Sequence, residues 1–414
     1  MSASAHSEQV DLLVIGAGIA GASAALSAAR ALRGTRRVLL VDHSTWPREK
    51  VCGCCLGSRG IDSLQRLGFD LRSRPADYAA LVRIRVNARG GASFDLPHAG
   101  GLVVTRSVLD SALVSAAVDA GATFRARCAA SIVGRSGDAW QVRLGSSVCL
   151  ARAVIVADGL AGRSLADLPG FAPRVERGSL MGAGIHAPAF AAPPDVAPVG
   201  TVLLAHGVGG YVGVVRMVNG SIDIAAALCP KRVRSLGGPI GAMQRLLDEA
   251  RVRIALDPDL RPRGTSLLTR RRDTLGGPGL IIAGDAAGYV EPFTGEGMTW
   301  AALSGEQAGA LAAHAICGDV SMLESLGTAW SHWYRHKLIP MQSTCRSIRL
   351  LLHTPGMLRG VANIAMRSRV VNRLLAQIST RVTGDIPIRV ASMTPQLLHA
   401  ASLLPTTATS GSQT

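Results

Sequence analysis

Lysine is almost missing from this chain. Of 44 basic residues only Lys50, Lys231 and Lys337 are lysines, leaving 41 arginines. Aromatic residues are also scarce, at 4%, which argues against a surface that stacks nucleic-acid bases. No run of about 18 apolar residues occurs, so no membrane-spanning helix is expected. The opening MSASAHSEQV is polar and lacks the apolar core of a secretory signal. Without such a signal, the eight cysteines read as reduced thiols of a cytoplasmic protein. Cys52-x-x-Cys55 has the spacing of half a zinc site, but Cys128, Cys149, Cys229, Cys317 and Cys345 are isolated and offer no second pair. No metal centre is expected.

What is present is a chain of 414 residues, 48% of them hydrophobic, which suits a packed globular protein of one to three domains. The net charge of +16 can serve nucleic acid, a membrane surface or an anionic cofactor, or simply reflect a GC-rich genome. VDLLVIG (10–16) and RRVLLVD (36–42) read as buried strands around an alanine-rich amphipathic helix, a βαβ unit. ARAVIVADG (151–159) and PGLIIAGD (278–285) repeat that strand style. Between them, VGGYVGVVRM and SIDIAAAL flank Asn219-Gly220, a strong hairpin signal. These patterns predict an α/β protein with a discontinuous Rossmann-like domain over 8–80, 101–178 and 273–335. A β-sheet domain over 81–100 and 179–272 is inserted, a helical cap covers 336–385, and 386–414 is a tail.

Gly16-Ala17-Gly18-Ile19-Ala20-Gly21 is a G-x-G-x-x-G motif between a strand and a helix. Gly16 permits the tight turn, Gly18 lets backbone approach a diphosphate, and Gly21 lets helix and strand pack closely. The helix start offers free N–H groups and a positive dipole to phosphate. Asp42 ends the second strand 21 residues after Gly21, where a carboxylate accepts from ribose hydroxyls and disfavours a 2′-phosphate. Downstream, Asp158-Gly159 and Gly284-Asp285 each end a buried strand. Pro292-Phe293-Thr294-Gly295-Glu296-Gly297-Met298 then opens a long helix.

Together these elements resemble the FAD-dependent oxidoreductases of the para-hydroxybenzoate hydroxylase-like superfamily, in its geranylgeranyl reductase-like and flavin-dependent halogenase-like branch. The resemblance covers roughly 8–320, with the three motifs in the family's order. It implies a FAD-binding domain of the GR2 type. It also implies that Asp285 meets the ribityl chain and that Pro292, Gly295, Gly297 and Met298 face the flavin edge that gains charge on reduction. PREKVCGCCLG (47–57) resembles the segment that runs beside FAD in that branch, which makes Arg48 and Gly53 cofactor contacts and brings Cys52 near the flavin ring. Arg106 resembles a further FAD-contacting arginine. Gly162 stands where the family usually has a serine after Asp-Gly, with Ser164 displaced. Three readings of Cys52, Cys54 and Cys55 compete: half a metal site, a redox couple, or packing of the flavin loop.

No second G-x-G-x-x-G follows, so NAD(P)H is expected to bind transiently over the flavin, or a separate flavin reductase supplies electrons. Gly210-Tyr211 matches part of the Gly-Tyr-x-Trp strand of prenyl reductases, without the tryptophan, and places Tyr211 with Cys52 as candidate catalytic residues. Val212, Val214, Val215 and Met217 suggest an apolar pocket for a small-molecule substrate, with His186 and His206 as nearby acid/base candidates. The branch's halogenases use a lysine after the cysteine segment, whereas this chain has none between Lys50 and Lys231. Monooxygenation of an apolar or aromatic metabolite is therefore the first expectation, alkene reduction on a prenyl or lipid substrate the second, and halogenation the third. A basic membrane- or nucleic-acid-binding module with a vestigial nucleotide fold is the non-enzyme alternative; no nucleic-acid partner is expected. Arginines alternating with apolar residues over 341–380 suit either a cap on the FAD domain or peripheral membrane contact.

Overall fold

A computed structural model of the chain describes residues 8–74, 77–291, 293, 295–353 and 360. Pro292, positions 354–359 and 361–385 of the helical region assigned to 336–385, and the tail over 386–414 lie outside the described residues.

The four strands of similar style do share one sheet. Along its main path the order runs 276–277, Leu280–Ile282, Ser147–Val156, Glu8–Ile15, Val38–Val41, Thr123–Arg125, all but the first pairing parallel; Ala130–Ser136 and Ala139–Leu144 join beside Ser147–Val156 as an antiparallel extension. Parallel strands are covered on both faces, which is why they read as unbroken apolar runs. Leu12, Val154, Ile155, Leu280 and Ile281 are fully buried, each stabilising the fold by about 1.5–3 kcal/mol relative to exposure. The Ile19–Leu32 helix is not amphipathic as its pattern suggested: twelve of its fourteen residues are buried. The cause is the Gly297–Cys317 helix lying against it. There Gly305 and Gly309 sit so close to the Ala20 and Ala24 carbonyls that a β-carbon would overlap them. Trp330 of the Val320–His353 helix donates to the Ile282 carbonyl at 2.9 Å and pins that helix to the sheet edge.

The second sheet has the order Arg263–Leu267, Met181–Ala187, Ile222–Leu228, Gly210–Arg216, Thr201–Gly207, Tyr78–Asn87, Ser93–Val104, Cys55–Leu56. Its strands begin at Tyr78 and continue to Val104, beyond the 81–100 span read from sequence. It also captures Cys55–Leu56 as an edge strand, antiparallel to Leu102–Val103. The Pro239–Glu249 helix covers its outer face with Met243, Leu246 and Leu247. The inner face turns toward the nucleotide-binding sheet. Period-2 alternation corrects one expectation here. Val212 and Val214 point to the helix-covered side, while Tyr211 and Val215 share the inner face with Val202 and Leu204.

Candidate active site

The site begins at the glycine turn. Gly16 takes φ +96°, a conformation that β-carbons resist, and side-chain space there is filled by the Ala157 carbonyl. The amide of Ala17 donates to Asp42 Oδ2 at 2.8 Å, and the Ser44 amide to Oδ1 at 2.8 Å. Burial works against the Asp42 charge, yet these two amides and Arg48 hold its carboxyl below the usual range. At Gly18 a β-carbon would stand 3.0 Å from Arg48 Nη2 and 3.3 Å from Arg106 Nη2. Both guanidinium groups are held by one buried carboxylate. Asp110 takes a bidentate pair from Arg106 at 2.9 and 2.8 Å and an ion pair from Arg48 at 3.3 Å. Arg106 is therefore buried rather than solvated. Asp110 escaped the sequence reading, although its i,i+4 spacing from Arg106 is a usable signal.

This corner fits a diphosphate. The helix beginning at Ile19 has no side-chain cap on its amides, two guanidinium groups border the space left by Gly18, and Arg48 Nε is buried without a hydrogen-bond partner. An anionic group at this position would satisfy these donors.

Asp158 and Asp285 sit at neighbouring strand ends. Asp158 Oδ2 accepts from the Ser164 amide at 3.0 Å and its hydroxyl at 2.6 Å. Burial raises the Asp158 carboxyl in pKa despite those bonds. The Gly284 turn leads to Asp285, which pairs with Lys50 Nζ at 2.9 Å. Lys50 went unremarked as a site residue; only the fold brings it across to Asp285. Gly159, Asp285, Gly295, Gly297 and Met298 line one cleft together with Gly18, Cys52, Gly53 and Arg106. Asp42, Arg48 and Asp158 flank the strand ends that feed it, and Gly16 and Gly21 shape the turn beneath it.

The opposite wall of that cleft is the inner face of the second sheet. Ile84, Val202, Leu204, Tyr211, Val215 and Leu268 line it. Tyr211 meets Phe293 edge to face, with ring centroids 5.2 Å apart. Phe293 belongs to the 292–298 segment, where nothing local marks it as a partner for Tyr211.

The cysteine segment forms the partition between this cleft and a second one. Cys52 lines both; Cys54, His186, Asp223, Arg261 and Arg263 line only the second. Among the described residues no cluster of His, Cys, Asp and Glu could hold a metal ion, and all eight cysteines are free thiols. The three neighbouring thiols differ sharply. A hydrogen bond from the Cys54 thiol, opposed by burial and aided by Arg106, brings Cys52 down to about 7. That same bond, with burial and Asp223, pushes Cys54 well up, and burial pushes Cys55 up. Cys52 is thus the thiol that changes protonation near neutral pH. At the start of the 297–317 helix, burial raises Glu296 to about 7, against Arg59 and Thr299.

No family model matches the chain. Menaquinone reductase of Mycolicibacterium smegmatis is 29% identical over 408 residues, spanning 91% of this chain and 92% of that protein. Digeranylgeranylglycerophospholipid reductase 2 of Methanopyrus kandleri is 26% identical over 347 residues, spanning 78% of this chain and 82% of that protein. Among solved structures, a flavoprotein/dehydrogenase from Cytophaga hutchinsonii superposes with a TM-score of 0.72 at 19% identity, covering 91% of this chain and 93% of that one. A geranylgeranyl bacteriochlorophyll reductase-like protein from Thermoplasma acidophilum gives 0.65 at 18% identity, covering 96% of each. The halogenase PltM, solved in complex with phloroglucinol and FAD, gives 0.66 at 14% identity, covering 91% of this chain and 88% of that one. At such identities the solved structures speak for the fold alone.

Proposed function

We propose that this chain, a FAD-dependent oxidoreductase of the para-hydroxybenzoate hydroxylase-like superfamily, reduces a carbon–carbon double bond in the prenyl chain of an isoprenoid lipid. The observation that carries this reading is the cleft beside Cys52, whose sheet wall of Ile84, Val202, Leu204, Tyr211, Val215 and Leu268 presents no charged side chain. Support comes from two relatives whose named substrates, a menaquinone and a digeranylgeranylglycerophospholipid, have a prenyl chain in common. For that reason alkene reduction takes precedence over the monooxygenation that the sequence alone put first.

Bound FAD supplies the hydride. Arg48, Arg106 and the amides after Gly18 would hold its diphosphate, Asp42 its ribose hydroxyls, and Asp285 its ribityl chain. The Gly295–Met298 segment opens a helix whose positive dipole would favour the charge a flavin edge gains on reduction there. Gly53 carries no side chain to obstruct the ring. An isolated alkene needs a proton as well as a hydride, and Cys52 is placed to give it: its thiol borders the apolar cleft and titrates at about 7. Tyr211 and Phe293, packed edge to face, would form a wall for the prenyl chain. Electrons enter from NAD(P)H bound transiently, or from a separate flavin reductase.

The Tyr211–Phe293 corner also suits an aromatic ring and favours a second reading, oxygenation of an aromatic metabolite. One experiment separates them. The purified, FAD-loaded protein is reduced without oxygen and given a menaquinone or a geranylgeranylated lipid, and the product is weighed by mass spectrometry. A gain of two hydrogens under nitrogen is the expected result. An unchanged lipid under nitrogen, with an aromatic substrate gaining one oxygen atom in air, would replace this reading by the second.

A further inference from the structure

Four side chains connect the second, polar cleft to the apolar one. His186 and Asp223 are register partners on adjacent strands of the inserted sheet, with His186 Nδ1 4.0 Å from Asp223 Oδ1. Asp223 Oδ2 accepts from the Cys54 thiol at 3.1 Å. The Cys54 amide donates to Cys52 Sγ at 3.4 Å, the Cys54 thiol lies 4.0 Å from the Cys52 carbonyl oxygen, and the Cys54 side chain is the largest influence lowering Cys52. The Cys54 residue thereby stands between a carboxylate and the sulfur that borders the apolar cleft. The His186 side chain is 40% exposed, whereas Cys54 is buried. Cys54 moreover takes φ +55°, a left-handed conformation that a residue with a β-carbon seldom adopts. The unusual backbone puts the thiol between Cys52 and Asp223.

We propose that His186, Asp223 and Cys54 are positioning residues that form a proton-conducting line, refilling Cys52 from the polar cleft after each turnover. The inference rests on Cys52 as the proton donor of the reading above. In the donor step the Cys52 S–H bond breaks and a C–H bond forms, leaving a thiolate. The Cys54 S–H proton passes to that thiolate. Asp223 takes a proton from the His186 imidazolium and passes it to Cys54, and water reprotonates His186. The electron pair that completes the reduction is the hydride already assigned to FAD, so the line needs no further oxidant or reductant. It also spares the apolar cleft from admitting water.

Other ionisable groups bear on Cys52. Cys55 lies in its own segment, Arg106 approaches from the Arg106–Asp119 helix, and Tyr289 lies beside it. Lys50 and Asp285 line the same cleft. Arg106 favours the Cys52 thiolate and Asp223 opposes it. Asp223 in turn favours the charged form of His186.

The test uses the holoenzyme. Alkylation of Cys52 by iodoacetamide is followed against pH by peptide mass spectrometry for the parent, Cys54→Ala, Cys54→Ser and Asp223→Asn. Cys54→Ala should slow Cys52 alkylation at pH 7 by ~10-fold, because the thiolate loses its donor. Cys54→Ser, which keeps a donor, should stay near the parent. Asp223→Asn should move the profile the opposite way from Cys54→Ala. His186→Gln should leave the alkylation profile near the parent but slow multiple-turnover reduction, with added imidazole restoring it. Unmoved profiles in Cys54→Ala and Asp223→Asn, or full turnover in His186→Gln without imidazole, would overturn the relay. Shifted profiles with no reduction of any prenyl lipid would instead overturn the proposed function and leave the linkage of the four side chains standing.

Discussion

At Gly162 a β-carbon would fall on the carboxylate of Asp158. Ser164, two residues on, donates both its amide and its hydroxyl to that same carboxylate. Ser164 thus gives the Asp158 carboxylate two donors across the space that Gly162 leaves open. In the proposed reaction Cys52 is the proton donor. Cys52→Ala is expected to lower turnover by about 100-fold or more, as loss of a general acid does, while the flavin absorbance stays at its bound value. Cys54→Ala should cost less, and equal turnover in the two variants would remove Cys52 from its role. Glu296 sets a pH dependence of stability. Its folded carboxyl titrates at about 7 because it is buried, above the ordinary value of 4.5. Between those values the folded chain holds a proton that the unfolded chain has released, so stability falls as pH rises through that window, by up to ~3 kcal/mol in total. Glu296→Gln should flatten the melting temperature across pH 5–7.5, as read by scanning calorimetry.

Among the elements, the contact between the 19–32 and 297–317 helices depends on missing side chains. Gly305 lies over the Ala20 carbonyl and Gly309 over the Ala24 carbonyl, and Ser27 donates its hydroxyl to the Glu306 carbonyl at 2.9 Å. Gly309→Ala would force the helices apart and is expected to destabilise the fold by about 1–3 kcal/mol, visible as a lower melting temperature with unchanged absorbance of the loaded flavin. The sequence made the elements themselves legible. Buried parallel strands announce themselves by continuous Val, Ile and Leu, the Asn219-Gly220 hairpin by its turn residues, and the nucleotide turn by its glycine spacing. Partnerships between distant elements were not legible. Nothing near Lys50 points to Asp285, nor anything near Cys54 to Asp223, because strand order and crossover geometry decide those meetings. The face on which Val212 and Val214 lie was misread for a related reason: an apolar strand covered on both sides does not say which side is the cleft.

On the scale of the molecule, the proposed prenyl-lipid substrate would make the chain's excess of arginine and its apolar cleft parts of one problem, reaching a molecule held in a bilayer. No helix among the described residues is long and apolar enough to cross a membrane. A chain of net charge +16 that draws on lipid is expected to float with anionic vesicles at low salt and to be released as ionic strength rises. Failure to float at any salt concentration would mean that the lipid arrives by another carrier.

The edge strand Cys55–Leu56 gives the architecture a practical limit. The segment that separates the apolar cleft from the polar one is hydrogen-bonded into the inserted sheet, although its sequence lies in the nucleotide-binding half. Exchange of substrate halves between relatives at the obvious seams, near 78 and 180, would therefore pair a foreign sheet with a native partition. Chimeras that carry residues 51–57 along with the transplanted sheet should assemble; those that leave them behind should lose the seal between the two compartments.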